Sequence, residues 1–410
     1  MLRTTIPTLR QLLKRERKYA LIAFSSFLVV FIAGSFYLDP FNFKNSNFTL
    51  NTSDEEIKSF AQNIVETCVA LKGQDKPDCY RDELRSFTKE YGFVTGEKML
   101  SSIQELDADT RTCHVLSHYI AREAYVREPS NFYKLLDSIN VNTCGSGFLH
   151  GILEAYAAEH PEVEMDGAFA EKMCNRGNDD YRKRTCIHLM GHLLLISTYG
   201  DVNEALNLCR LTLQKNQFNC FDGIFMEDHQ KLALFQHGMS PLPEKTPERM
   251  REMERKCLSY TDNVVAKACW LEMAEPYAHT YGYSASTLYR ECSKAPKIEF
   301  QEICYRKAGT ALATYYRYDK QEDLVSICAY YKKNLNAYNS CVTNITTSLM
   351  YTSPKFINRG IALCSNIEET SREVCYTDLV VRLKEAVRNN KERAPYCLEL
   401  PNNYISQCTN

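Results

Sequence analysis

The chain reads as all-α: an α-solenoid of antiparallel helical hairpins with regular intra-repeat disulfides, preceded by one N-terminal transmembrane helix. Three observations lead there. Cysteines recur in close pairs 11–13 positions apart, and successive pairs begin at 257, 292, 328, 364 and 397, a step of 33–36. Such a fixed period marks a repeat array. Strand signals are sparse: period-2 alternation is rare, and no Asn-Gly or Asp-Gly turn stands between apolar runs. Residues 19–38, YALIAFSSFLVVFIAGSFYL, carry no charge, and that is the length an α-helix needs to cross a bilayer.

Residues 1–18 hold Arg3, Arg10, Lys14, Arg15, Arg17 and Lys18 against Glu16 alone, a charge of +5. A basic flank stays cytoplasmic, so the expected topology is a single-pass membrane protein with residues 39–410 outside the cytoplasm. A cleavable signal peptide is the alternative. It has a shorter apolar run and an A-x-A-like cleavage site, for which Ala33-Gly34-Ser35 is a poor match. Residues 39–54 form a polar linker. The net charge of −2 over 410 residues argues against nucleic acid as a partner.

All 18 cysteines follow the apolar segment, which in an oxidising compartment predicts a disulfide framework. The close pairs are 68/79, 174/186, 209/220, 257/269, 292/304, 328/341, 364/375 and 397/408. Each repeat reads as two helices. The first cysteine closes helix A, a polar turn follows, and the second cysteine opens helix B. A disulfide there closes a short loop and is worth about 3 kcal/mol in the chain-entropy model. Cys113 and Cys144 lack a partner in their own repeat and can pair with each other across adjacent hairpins. The sequons at Asn47, Asn51 and Asn344 fit a secretory protein in a glycosylating host.

The paired-cysteine, two-helix unit over residues 55–410 resembles the cysteine-rich branch of tetratricopeptide-type repeats, at the level of architecture. The resemblance implies an extended concave face of B helices, commonly used to bind a protein or peptide partner. Three prolines in 237–250 interrupt the array, so 239–250 reads as a loop between a His-rich block, 55–238, and a Tyr-rich block, 251–410. Tyrosines in CAYYKKNLNAY (328–338) read as half-buried packing or as a partner surface.

Seven of the nine histidines lie within 114–229. Aligned on the cysteine that opens each B helix, His118, His150 and His192 occupy one repeat position, which later helices fill with Met226, Glu275, Thr310, Thr347 and Val381. His114 and His118 are four apart, as are His188 and His192, and His150 and Glu154. That spacing puts two side chains on one helix face, where they can hold one metal ion. The candidate ligands are therefore His114, His118, His150, Glu154, His188, His192 and His229, and the candidate bases are Glu154 and Glu227. The expected cofactor is a divalent transition metal (zinc, iron or copper), with haem held by two of the histidines as an alternative.

Three other readings stay open: a metal-free acid/base pocket, purely structural histidines, and an interaction scaffold without chemistry. Zinc held by Cys113-His114 or Cys186-x-His188 requires a reducing compartment, which the paired cysteines oppose. No nucleophile-elbow, phosphate-loop, dinucleotide or H-E-x-x-H motif occurs. Gly145, Gly147, Gly151, Gly191 and Gly223 cluster near B-helix starts, where a ligand or a neighbouring helix comes close.

Overall fold

The computed structural model describes residues 52–410, apart from 73–74, 108–109, 111–112, 139–142, 161–162, 164–165, 176–179, 213–215, 232–239, 317–325 and 327. The predicted membrane segment, the sequons at Asn47 and Asn51, and most of the linker lie outside the described residues. Among the described residues, no helix is long and apolar enough to cross a membrane. The described residues fall in one compact unit.

Among the described residues the regular structure is helical. The A helices are α1 (Asp54–Cys68), α3 (Phe93–Leu106), α5 (Phe132–Ser138), α7 (Gly167–Cys174), α9 (Val202–Thr212), α11 (Pro247–Ser259), α14 (Ala285–Cys292), α17 (Ile357–Asn366) and α19 (Asn390–Cys397). The B helices are α2 (Asp75–Tyr91), α4 (Cys113–Arg127), α6 (Gly147–Glu159), α8 (Asp180–Ser197), α10 (Gln217–Gln230), α12 (Asn263–Leu271) with its continuation α13 (Ala274–Tyr281), α15 (Ile298–Tyr316), α16 (Leu335–Thr352), α18 (Glu369–Ala386) and α20 (Asn402–Thr409).

Helix α1 shows why an A helix forms where it does. Ser53 and Glu56 make a capping box, each side chain accepting from the other's backbone N–H at 3.2 and 2.8 Å. Asp54, Glu55 and Glu56 sit in the first turn, where the helix dipole favours negative charge. Ile57, Ala61, Ile64 and Cys68 form one buried stripe. The Thr246 side chain caps α11 by accepting from Arg249 N–H, with Pro247 at the helix's first position. So Pro247 starts a helix, and the loop runs only up to it.

The B helices inside the array bury more of their surface than the terminal ones, where α2 buries only Tyr80, Leu84, Phe87 and Thr88. In α6 every residue from Gly147 to Ala155 is buried, because each B helix packs against its A partner and against the B helices before and after it. The eight predicted pairs are bonded, with Cα–Cα distances of 5.3–6.2 Å, and Cys113 joins Cys144 at 5.4 Å. No cysteine is free, so none serves as a thiolate ligand.

Glycine settles how closely some B helices approach. A Cβ at Gly151 would lie 2.4 Å from the His118 carbonyl oxygen, and one at Gly223 would lie 1.8 Å from that of His188. The neighbour that requires these glycines is the next helix: α4 against α6, and α8 against α10.

The array curls until its two halves meet. The turn at 143–146 packs on α16, Arg184 pairs with Glu385 at 3.4 Å, and Lys355 pairs with Glu105. The B-helix face thereby lines a solvent-open cavity of about 770 Å³. Tyrosines of the second block pack among themselves: Tyr289 stacks on Tyr305 at 5.1 Å, and Tyr331 lies 5.5 Å from both.

Candidate metal centre

Five histidines that are far apart in sequence share one place. His114 and His118 lie on α4, His150 on α6, and His188 and His192 on α8. His150 stands in the middle, with ring centroids 4.8 and 5.3 Å from His114 and His118, and 6.0 and 5.2 Å from His188 and His192. Ligand atoms of His114, His118 and His150 all lie within 4.8 Å of one another. His118, His150 and His192 are 7, 3 and 5% exposed, while His114, His150 and His188 reach the cavity wall.

The hydrogen bonds set which nitrogen is free. His114 Nδ1 lies 3.0 Å from the Cys144 carbonyl oxygen, which can only accept. His118 Nδ1 faces Glu154 Oε2 at 3.1 Å, His188 Nδ1 faces Asp222 Oδ2 at 2.8 Å, and His192 Nδ1 lies 3.4 Å from Glu227 Oε2. His114, His118 and His188 therefore carry their protons on Nδ1 and turn an Nε2 lone pair inward, while His192, whose Nδ1 makes no hydrogen bond to Glu227, can donate its Nε2–H to His188 Nε2. That second-layer arrangement orients imidazole ligands at metal sites. Glu154 and Glu227 thus sit on the Nδ1 side of their imidazoles.

Within each pair the Nε2 atoms face each other at 3.1 Å. In the His114–His118 pair, whose Nδ1 atoms both donate elsewhere, two lone pairs at that distance repel unless a proton or a cation lies between them. Burial opposes the proton. It pushes His114 down to about 3, with His118 adding to the effect. Burial, and then the neighbouring imidazoles, push His150 well below the usual range. Burial also lowers His188, against the pull of Asp222. Neutral imidazole is the form that binds metal. Among the described residues His150 makes no hydrogen bond through either ring nitrogen.

A strained turn holds one acceptor in place. Cys144, Gly145 and Ser146 have φ of 54, 59 and 69° in succession. Left-handed backbone costs an L-residue about 1–2 kcal/mol. The turn aims the Cys144 carbonyl at His114, and the Cys113–Cys144 disulfide ties it to α4.

A polar ladder continues from His188 along successive B helices. Asp222 on α10 meets Glu272 beside α12, and Lys307 on α15 donates to Glu272 Oε1 at 2.9 Å. Burial raises Glu272, with Lys307 opposing and Asp222 adding. Asp222 is held below the usual carboxylate range, since His188 and Lys307 outweigh burial. Burial thus favours the neutral form of Glu272 beside the ionised Asp222. Their oxygens Oε2 and Oδ1 are buried and have no other donor.

His229 leads elsewhere. Its Nδ1 lies 3.2 Å from the Glu272 carbonyl oxygen and its Nε2 4.0 Å from Cys269 Sγ. Cys257 and Cys269 are bonded to each other, so the His229–Cys257–Cys269 group offers no thiolate. Asn344 lines the cavity from within α16 and donates to Thr310 Oγ1, which is no surface sequon. Sequence reading missed Asp222. The available signal was its place two residues after Cys220, as His188 stands two after Cys186.

Comparison with known proteins finds no family model that matches the chain, and no curated protein or solved structure similar to it.

Proposed function

We propose that the chain is a membrane-anchored, extracytoplasmic helical-repeat protein of the cysteine-rich tetratricopeptide type, with a histidine-rich site for a divalent transition metal facing its interior cavity. One observation carries the metal reading. The Nε2 atoms of His114 and His118 face each other at 3.1 Å while both their Nδ1 atoms are taken by oxygen acceptors, and His150 stands beside them with neither ring nitrogen hydrogen-bonded among the described residues. Placing a cation there turns a repulsion into coordination.

His114, His118 and His150 make a three-imidazole set, and His188 and His192 add a second pair beside it. Imidazole suits zinc, iron and copper, so donor type alone selects none of them. Three protein ligands leave a coordination position open, and a metal there would polarise a bound water or substrate oxygen. The chain's own contribution is to fix the imidazoles through Cys144, Glu154, Asp222 and Glu227 and to enclose the site. The disulfides and the basic, apolar N-terminus support the topology.

Elemental analysis of the full chain after exposure to zinc, ferrous iron or cupric copper tests this reading. The expected content is on the order of one or two ions per chain. It falls in His114→Ala/His118→Ala and in His188→Ala/His192→Ala. A wild-type protein that stays metal-free with its fold intact refutes the reading.

A further inference from the structure

The cavity wall has a charge imbalance that metal binding does not use. Lys307 is satisfied by Glu272 at 2.9 Å, Arg382 by Glu385 at 2.7 Å and Asp378 at 3.2 Å, and Arg184 by Glu385 at 3.4 Å. Arg306 also lines the cavity. Among the described residues its guanidinium makes no hydrogen bond and no ion pair. It is solvent-accessible through the cavity, yet enough protein surrounds it that burial disfavours its charge. Asp222, Glu272 and Asp378 act on it only through space.

Arginine stays charged in proteins and presents a planar fork of N–H donors. A carboxylate or phosphate fits that fork with two parallel, charge-assisted hydrogen bonds. Arg306 stands two residues after Cys304, the repeat position that holds His188 and Asp222 in their own helices. It therefore looks onto the same space as the histidine cluster. Thr343, Asn344, Thr347 and Tyr351 add neutral polar groups to the wall, and its two carboxylates are engaged, Asp222 by His188 and Asp378 by Arg382. A space of about 770 Å³ suits a small molecule.

We propose that Arg306 is an anion subsite: it holds the carboxylate or phosphate of a small oxyanionic substrate whose other end lies at the histidine cluster. The placement of that other end rests on the metal reading, and the anion contact does not.

Calorimetric titration of inorganic phosphate and of succinate into the full chain, with and without zinc, tests the proposal. The wild type is expected to bind at least one of the two, and the tighter one identifies the anion. Arg306→Gln should weaken that anion roughly ten- to a hundredfold, the worth of a charged hydrogen bond, at unchanged zinc content. Arg306→Lys should retain part of the affinity, which separates lost recognition from lost fold. Lys98→Gln, at an exposed pair with Asp54, should bind like the wild type. Wild-type protein that binds neither anion, or an Arg306→Gln variant that binds as tightly as wild type, overturns the subsite. Anion binding through Arg306 in a protein that takes up no zinc upholds the subsite and removes the metal reading.

Discussion

Replacing Gly223 by alanine adds one methyl group to a helix interior. At an open position this change stabilises by about 1 kcal/mol. At Gly223 the new Cβ would lie 1.8 Å from the His188 carbonyl oxygen, 2.9 Å from its carbonyl carbon and 3.3 Å from Gly191 Cα. These are backbone atoms and cannot rotate away. Helices α8 and α10 must separate by more than about 1 Å before the contact becomes an ordinary one. Overpacking costs about 1–3 kcal/mol, so the net expectation is a loss of roughly 1–2 kcal/mol. The same movement draws Asp222 away from His188 and Glu227 away from His192, now 2.8 and 3.4 Å apart. Losing such orienting partners costs roughly ten- to a hundredfold in metal affinity. Denaturant unfolding with disulfides intact, together with zinc titration, measures both effects. Gly360→Ala is the control: its Cβ meets Leu379 Cδ1 at 2.6 Å, the movable end of a side chain. That variant should be nearly neutral. A Gly223→Ala protein as stable as the wild type, with unchanged zinc affinity, would refute the close-packing account.

Three more outcomes follow from the same geometry. Burial pushes His229 down to about 4, with Asp228 opposing, while the unfolded value is about 6.5. Between these values only the unfolded chain takes up the proton, so this residue's stabilising contribution is full above the unfolded value and lost as pH falls through the window. On the order of 2 kcal/mol goes by pH 5, and His229→Gln should lose correspondingly less between pH 7 and 5 in urea titrations. Serine replacement of Cys113 and Cys144 should lower both stability and metal content, because that bridge holds the carbonyl behind His114; replacing Cys397 and Cys408 should lower stability alone, by about 3 kcal/mol. In a glycosylating host, mass spectrometry of the folded protein should find Asn344 unmodified; a glycan there would contradict its place inside the cavity.

Much of the framework was legible in the chain itself. The 11–13 spacing identified each hairpin because a cysteine at the end of one helix and one in the early turns of the next come together in any antiparallel pair. The pairing of the lone residues Cys113 and Cys144 stayed open in the sequence, and the structure joins them. The histidine column was legible because repeats copy positions, so His118, His150 and His192 had to share a face. The glycines left two readings open, since a missing Cβ does not say what occupies its space.

What only the tertiary structure decided is which residues meet across repeats. Local periodicity places a side chain on a face, but it carries no information about curvature, which accumulates from small rotations between successive hairpins. That curvature brings α16 around to the turn at 143–146 and α18 around to α8, and deepens the concave face into a cavity open to solvent. It also makes Asp222 a partner of His188, keeps His229 occupied with the Glu272 carbonyl, and leaves Arg306 facing the histidines without a partner among the described residues. The sequence by itself determined the hairpins, the eight close disulfides and the histidine face, because these depend on spacing along one or two helices. The site's acceptors, its depth and its facing cation depend on how many hairpins stack and how far each turns, which is settled by packing.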